Sequence, residues 1–121
     1  MTIKIGINGM GRIGRMVLRS IIESKNKKIE IKHINNRTGP EACSTLIKYD
    51  SIHGRLNSEI KFDDNLLIID NKKITFSQET KLEEINWKKC NVDSVFECTG
   101  KFNSKEELLR HITSGATKVI V

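Results

Sequence analysis

Three glycines fall within six residues, Gly9-Met10-Gly11-Arg12-Ile13-Gly14, and the segments on either side leave the chain few ways to fold. Before them, Ile3-Lys4-Ile5-Gly6-Ile7-Asn8 alternates and is rich in β-branched residues, which reads as a strand. After them an amphipathic segment starts at once: Ile13, Met16, Val17, Ser20 and Ile21 recur at i, i+3, i+4 spacing and predict one buried helical face. A second apolar run, Ile29-Glu30-Ile31-Lys32-His33-Ile34, closes a βαβ unit.

Each glycine of the pattern has its own task. Gly9 lets the chain turn sharply off the strand, Gly11 lets another group come close to the backbone, and Gly14 lets the helix lie on the sheet. The N–H groups of the first helical turn, around Arg12 and Ile13, have no partner inside the helix and stand at the positive end of its dipole. G-x-G-x-x-G between a strand and a helix therefore predicts a site for a dinucleotide pyrophosphate. A bare glycine pattern would leave an ordinary tight turn as the alternative.

A chain of 121 residues reads as one domain, 1–121, large enough to bury roughly two-thirds of its unfolded surface. It has no apolar run near the ~20 residues of a membrane span, and Met1-Thr2-Ile3-Lys4 does not begin a signal peptide, so a cytoplasmic location is expected. Cys43, Cys90 and Cys98 lack metal-ligand spacing and are expected to be reduced, mostly buried thiols; no metal site is predicted. The net charge of +6 favours anionic partners. The lysines, however, come as pairs at turns (Lys27-Lys28, Lys72-Lys73, Lys88-Lys89) with no aromatic stacking set, which argues against nucleic acid.

Further along, Asn35-Asn36-Arg37-Thr38-Gly39-Pro40 reads as a loop, with Thr38 or Gly39 as cap and Pro40 opening a short helix that carries Ala42, Leu46 and Ile47. Asn36 stands about 20 residues beyond Gly14, where this fold usually has an acid facing the adenosine ribose. Short strands at Glu59-Phe62, Leu66-Ile69 and Lys73-Phe76 predict an antiparallel hairpin insertion. Val92–Cys98 then resumes a parallel sheet, and Thr99-Gly100 falls at its ligand-binding edge. The last helix opens on a capping box, Ser104-Lys105-Glu106-Glu107, presents Leu108, Leu109 and Ile112, and stops at Gly115. The final strand is Lys118-Val119-Ile120-Val121. An ending on an apolar strand suggests the first half of something longer. The expected fold class is α/β, a Rossmann-type doubly wound, mainly parallel sheet with an antiparallel hairpin insertion.

Three blocks, Gly6-Ile7-Asn8-Gly9-Met10-Gly11-Arg12-Ile13-Gly14-Arg15, Lys48-Tyr49-Asp50-Ser51-Ile52-His53-Gly54-Arg55 and Glu97-Cys98-Thr99-Gly100-Lys101-Phe102, resemble phosphorylating glyceraldehyde-3-phosphate dehydrogenases in order and spacing. The resemblance covers essentially the whole chain. It implies an oxidoreductase of glycolysis or gluconeogenesis, usually a homotetramer, that converts glyceraldehyde 3-phosphate, phosphate and a nicotinamide dinucleotide to an acyl phosphate. It also implies that the reactive cysteine and histidine belong to a second domain beyond Val121, so that this chain holds cofactor without turnover. By match, Asn8, Gly9, Gly11, Arg12 and Ile13 go to the pyrophosphate, Asn36 to the adenosine ribose, and Thr99 and Gly100 to the nicotinamide half. The Tyr49–Arg55 block goes to a loop and a subunit contact.

Asn36 departs from the family's aspartate: it keeps hydrogen bonding without the charge that repels a 2′-phosphate, and Arg37 adds a cation. The pair predicts use of both NAD and NADP, although Thr80 stands where relatives commonly carry an arginine that could also have met that phosphate. The erythrose-4-phosphate dehydrogenase branch, a free-standing, non-catalytic nucleotide-binding module and an RNA-binding role through the basic groove are the alternative readings.

Overall fold

The computed structural model describes residues 3–24, 28–48, 60–69, 72–79, 81, 84–99 and 105–120. Among them the chain runs β1 (Ile3–Asn8), α1 (Arg12–Ser24), β2 (Ile29–Asn35), α2 (Pro40–Lys48), β3 (Ile60–Asp63), β4 (Leu66–Ile69), β5 (Lys72–Ser77), β6 (Ser94–Glu97), α3 (Lys105–Thr113) and β7 (Lys118–Ile120). These strands form one sheet in the order β3-β4-β5-β2-β1-β6-β7. Pairing is parallel from β5 to β7 and antiparallel where β3 and β4 extend the β5 edge. The expected doubly wound sheet is present, and the antiparallel insertion is a meander whose third strand joins the parallel sheet against β2. The chain builds from β1 through β2 to β5 on one side, then lays β6 and β7 on the other. The crevice at the carboxyl ends of β1 and β6 is thus the topological switch point, where open α/β sheets bind ligands.

A bulge sorts the side chains of β2. Ile5 pairs with Ile31 but Gly6 pairs with His33, so Lys32 is an extra residue on that strand. Because side chains alternate, one inserted residue inverts the face that the rest of the strand presents. Ile31 and Ile34 therefore both join Ile5, Ile7, Leu18, Cys43, Leu67, Ile74 and Phe76 in the larger core. His33 turns the other way and meets Trp87 edge to face at 5.5 Å. The second face holds a smaller cluster of Ile85, Trp87, Val92, Val95 and Ala116. Gly6 is explained by this cluster: a Cβ on it would stand 2.5 Å from the fully buried indole of Trp87.

The helices form where expected but are rotated. In α1, Ile13 and Met16 are 59% and 45% exposed and Ser20 is exposed too; the sheet-facing line is Gly14, Val17, Leu18, Ile21 and Ile22. Gly14 sets this line, because a Cβ there would be driven into the Gly9 carbonyl oxygen, and the other contacts follow at i+3, i+4, i+7 and i+8. In α2, Ala42 is exposed and Cys43 and Ser44 point inward; Gly39 is the cap, its carbonyl accepting from Cys43 N–H at 3.2 Å. In α3, Leu109 and Ile112 are exposed and His111 is the fully buried residue. Its C-terminus is as expected: Gly115 has φ +117°, and Ala116 N–H returns to His111 O at 3.1 Å. The side chains of Leu46 and Ile47, the Tyr49–Arg55 block, Thr80, Gly100 and Ser104 lie outside the described residues.

Candidate dinucleotide-binding site

The glycine loop is suspended between the ends of three strands. Gly9 N–H donates to Asn35 O at 2.8 Å, Met10 N–H donates to Asn36 Oδ1 at 2.9 Å, and Cys98 N–H donates to Asn8 O at 2.8 Å. Gly9 has φ +97°, and a Cβ on it would stand 2.7 Å from the Thr99 methyl and 2.9 Å from the Thr99 nitrogen, so both conformation and space demand glycine. Gly11 is different: among the described residues nothing lies within 4 Å of where its Cβ would be. No packing among the described residues calls for a glycine at that point, which is the open approach a pyrophosphate needs. The first helical bond is Arg15 N–H to Gly11 O at 3.0 Å, so the amides of Gly11, Arg12, Ile13 and Gly14 precede the ladder. Those amides fit an anion.

Below the loop lies a directional hydrogen-bond network. Glu79 contributes a backbone N–H to Asn35 Oδ1 and a backbone carbonyl to Asn35 Nδ2, both at 2.9 Å, which fixes that carboxamide's orientation. Asn35 Nδ2 donates to Asn8 Oδ1 at 2.9 Å, and Asn8 Nδ2 donates onward to Glu97 Oε1 at 2.6 Å. The indole N–H of Trp87 donates to His111 Nδ1 at 2.9 Å, so the ring's proton sits on Nε2, which donates to Glu97 Oε1 at 2.8 Å. The other oxygen, Glu97 Oε2, accepts from Thr99 N–H at 3.0 Å and Thr99 Oγ1 at 2.6 Å. Burial would raise the Glu97 carboxyl, but hydrogen bonds from His111, Thr99 and Asn8 outweigh it and hold it below its ordinary value. Asn8, expected at the pyrophosphate, is engaged on both sides of its carboxamide and leads directly into Gly9.

Asn36, expected at the ribose, closes the next corner. Its oxygen takes Met10 N–H, and its nitrogen donates to Thr38 Oγ1 at 2.7 Å and approaches Cys43 Sγ at 3.3 Å. Arg37 is exposed beside it, its carbonyl accepting from Gln78 Nε2 at 3.0 Å. The structure brings Gly9, Gly11, Arg12, Ile13, Asn36 and Thr99 to one edge of the sheet; Gly100 lies outside the described residues. In the sequence Glu97 has no role beyond its block and His111 reads as a core or surface histidine, although a glutamate in phase with buried Val95 on an apolar strand is itself a sign of an internal partner.

Two of the thiols, Cys98 and Cys43, are held in the protonated form. Burial, helped by the Glu97 charge, pushes Cys98 up to about 11, and burial raises Cys43 despite hydrogen bonds from Thr38 and Asn36. All three cysteines are free. Among the described residues no group of three or more His, Cys, Asp or Glu could hold a metal ion, and no helix is long and apolar enough to cross a membrane.

A family model described as glyceraldehyde 3-phosphate dehydrogenase, NAD binding domain, matches residues 3–105. The glyceraldehyde-3-phosphate dehydrogenase of Geobacillus stearothermophilus is 41% identical over 121 residues, covering 100% of this chain and 36% of that protein. That of Buchnera aphidicola subsp. Schizaphis graminum is 44% identical over 121 residues, 100% of this chain and 36% of its own. The Mycoplasma pneumoniae enzyme is 42% identical over 120 residues, 99% of this chain and 35% of its own. The chain thus spans little more than a third of the length of these relatives. By its sheet, its glycine loop and these matches, the chain belongs to the family of NAD-binding domains of glyceraldehyde-3-phosphate dehydrogenase.

Proposed function

We propose that residues 1–121 form a domain that holds NAD or NADP across the switch point between β1 and β6. The pyrophosphate lies on the loop of Gly9 and Gly11 and the amides of Arg12 and Ile13, the adenosine ribose lies toward Asn36 and Arg37, and the nicotinamide half toward Thr99 and Gly100. The single observation carrying this reading is Gly11, which at the start of α1 has no neighbour among the described residues within 4 Å of where its Cβ would stand. When bound, the nicotinamide supplies a hydride acceptor; the protein's own residues hold and orient it.

The parent reaction is oxidation of glyceraldehyde 3-phosphate with phosphate to an acyl phosphate, in the cytoplasm and in a tetramer. The raised Cys98 and Cys43 thiols support a cofactor-holding role without turnover for this chain. Use of both coenzymes rests on Asn36, a neutral group beside the exposed Arg37, where an acid would repel a 2′-phosphate. Side-by-side calorimetric titration of NAD and NADP tests this. Affinities within tenfold support dual use, and NAD tighter by more than tenfold, about 1.4 kcal/mol, rules it out.

A further inference from the structure

We infer that Glu97 is a positioning residue for the cofactor site: its ionised carboxylate ties the glycine loop to Thr99 across the switch point and so sets the spacing between the two halves of the crevice. The inference rests on the dinucleotide reading above and goes beyond it, since Glu97 is buried and is not one of the residues placed against the coenzyme.

Four donors converge on the carboxylate: Asn8 Nδ2 and His111 Nε2 on Oε1, and Thr99 N and Oγ1 on Oε2. Three of them cannot reverse. Thr99 N is backbone. His111 keeps its proton on Nε2 because the Trp87 indole, a donor only, occupies Nδ1. Asn8 is held by Asn35, which is held in turn by the backbone of Glu79. A site that receives only donors demands two acceptor oxygens, so no neutral amide satisfies it. In Glu97→Gln the new amide would turn its NH2 toward either the Thr99 pair or the Asn8 and His111 pair, and at least one backbone or locked donor would lose its acceptor in both orientations.

The geometry gives the carboxylate its role. Asn8 ends β1 and leads straight into Gly9, whereas Thr99 follows the adjacent strand β6 and its methyl fills the space over Gly9. The Glu97 carboxylate is bonded to both, beside the backbone bond from Cys98 N–H to Asn8 O. With the ribose on the β2 side and the nicotinamide half on the β6 side, losing this tie removes the bonds from Thr99 N–H and Oγ1 on the nicotinamide side, while the adenosine end keeps the Met10 to Asn36 bond.

The test compares NAD with ADP, which lacks the nicotinamide half, on the purified chain and on Glu97→Gln. The inference expects NAD affinity to fall at least tenfold in the variant while ADP affinity changes less than threefold. Equal losses for both ligands, or no loss for either, overturn it. Because Glu97→Gln removes buried bonds and could fail to fold, a second measurement uses the wild type and Thr99→Val. Trp87 is the sole tryptophan, is fully buried and reports through His111 on Glu97. Saturation with NAD is expected to shift the Trp87 indole 1H–15N resonance in the wild type and to shift it far less in Thr99→Val at equal saturation. A resonance that stays put, or moves equally in both proteins, overturns the inference. Failure of the wild type to bind NAD at all is a different result and sinks the dinucleotide reading instead.

Discussion

Met10 N–H lies 2.9 Å from Asn36 Oδ1, so the glycine loop is bonded directly to the residue that follows β2. This contact makes position 36 do two jobs, one for the shape of the loop and one for the coenzyme, and the two separate by substitution. Asn36→Asp keeps an acceptor for Met10 and restores a charge; it is expected to weaken NADP relative to NAD at least tenfold. Asn36→Ala loses the loop bond, at about 1 kcal/mol of stability, and weakens both coenzymes alike. Paired titrations on the two variants check this, and an unchanged NADP to NAD ratio in Asn36→Asp would remove the residue from coenzyme choice.

Gly6 is tested by adding one carbon. Gly6→Ala places a methyl 2.5 Å from the Trp87 ring, backbone against a buried indole between two histidines, with little room to yield. Destabilisation of about 1 to 3 kcal/mol is expected from urea unfolding followed by Trp87 emission. A midpoint equal to wild type would mean that the cluster on this face is loosely packed.

Acid should unfold the protein early, through two groups acting in the same sense. His33 is lowered from 6.5 to about 4 by burial. Between those values the unfolded chain holds a proton that the folded chain does not, so stability rises with pH across the window and is lost as pH falls through it, by about 3 kcal/mol at most. Glu97 is held below its ordinary value, so its contribution is present above about pH 4.3 and is lost below it. Urea midpoints measured from pH 7 to pH 4 should fall, and His33→Gln should flatten the part above pH 5. An identical slope in that variant would contradict the assignment.

The thiols offer a chemical check. With Cys98 at about 11 and Cys43 also raised, neither supplies appreciable thiolate at pH 7. Iodoacetamide should label both far more slowly than a free thiol, with a steep rise above pH 9, and the chain should not turn over glyceraldehyde 3-phosphate. Rapid alkylation of Cys98 at pH 7, mapped by mass spectrometry, would overturn this.

The sheet was legible in the sequence because strand runs and glycine turns are local signals: β1, β2, β6 and β7 and the break at Gly115 fall where alternation and punctuation put them. The helix faces were not. Periodicity counts apolar residues, and in α1 and α3 the closest contacts are made by Gly14 and His111, one through lack of volume and one through hydrogen bonds. The β2 bulge at Lys32 was equally hidden, since Ile31 and Ile34 break alternation in a way that looks like helix spacing until the register is seen. At the candidate site, Gly9, Gly11 and Gly14 stand between strand and helix as the pattern puts them, while Glu97 and Asn35 depend on partners up to 89 residues away in sequence.

The loop's purpose is tested most directly at Gly11, whose open surroundings separate folding from binding. Calorimetric titration of NAD into the wild type and Gly11→Ala, with thermal unfolding of both, is the decisive measurement. Binding by the wild type, at least tenfold weaker binding by Gly11→Ala, and melting temperatures within about 2 °C of each other, under about 0.5 kcal/mol, are the predicted results. Equal NAD affinity in both proteins, or no heat from the wild type at millimolar NAD, would contradict the account.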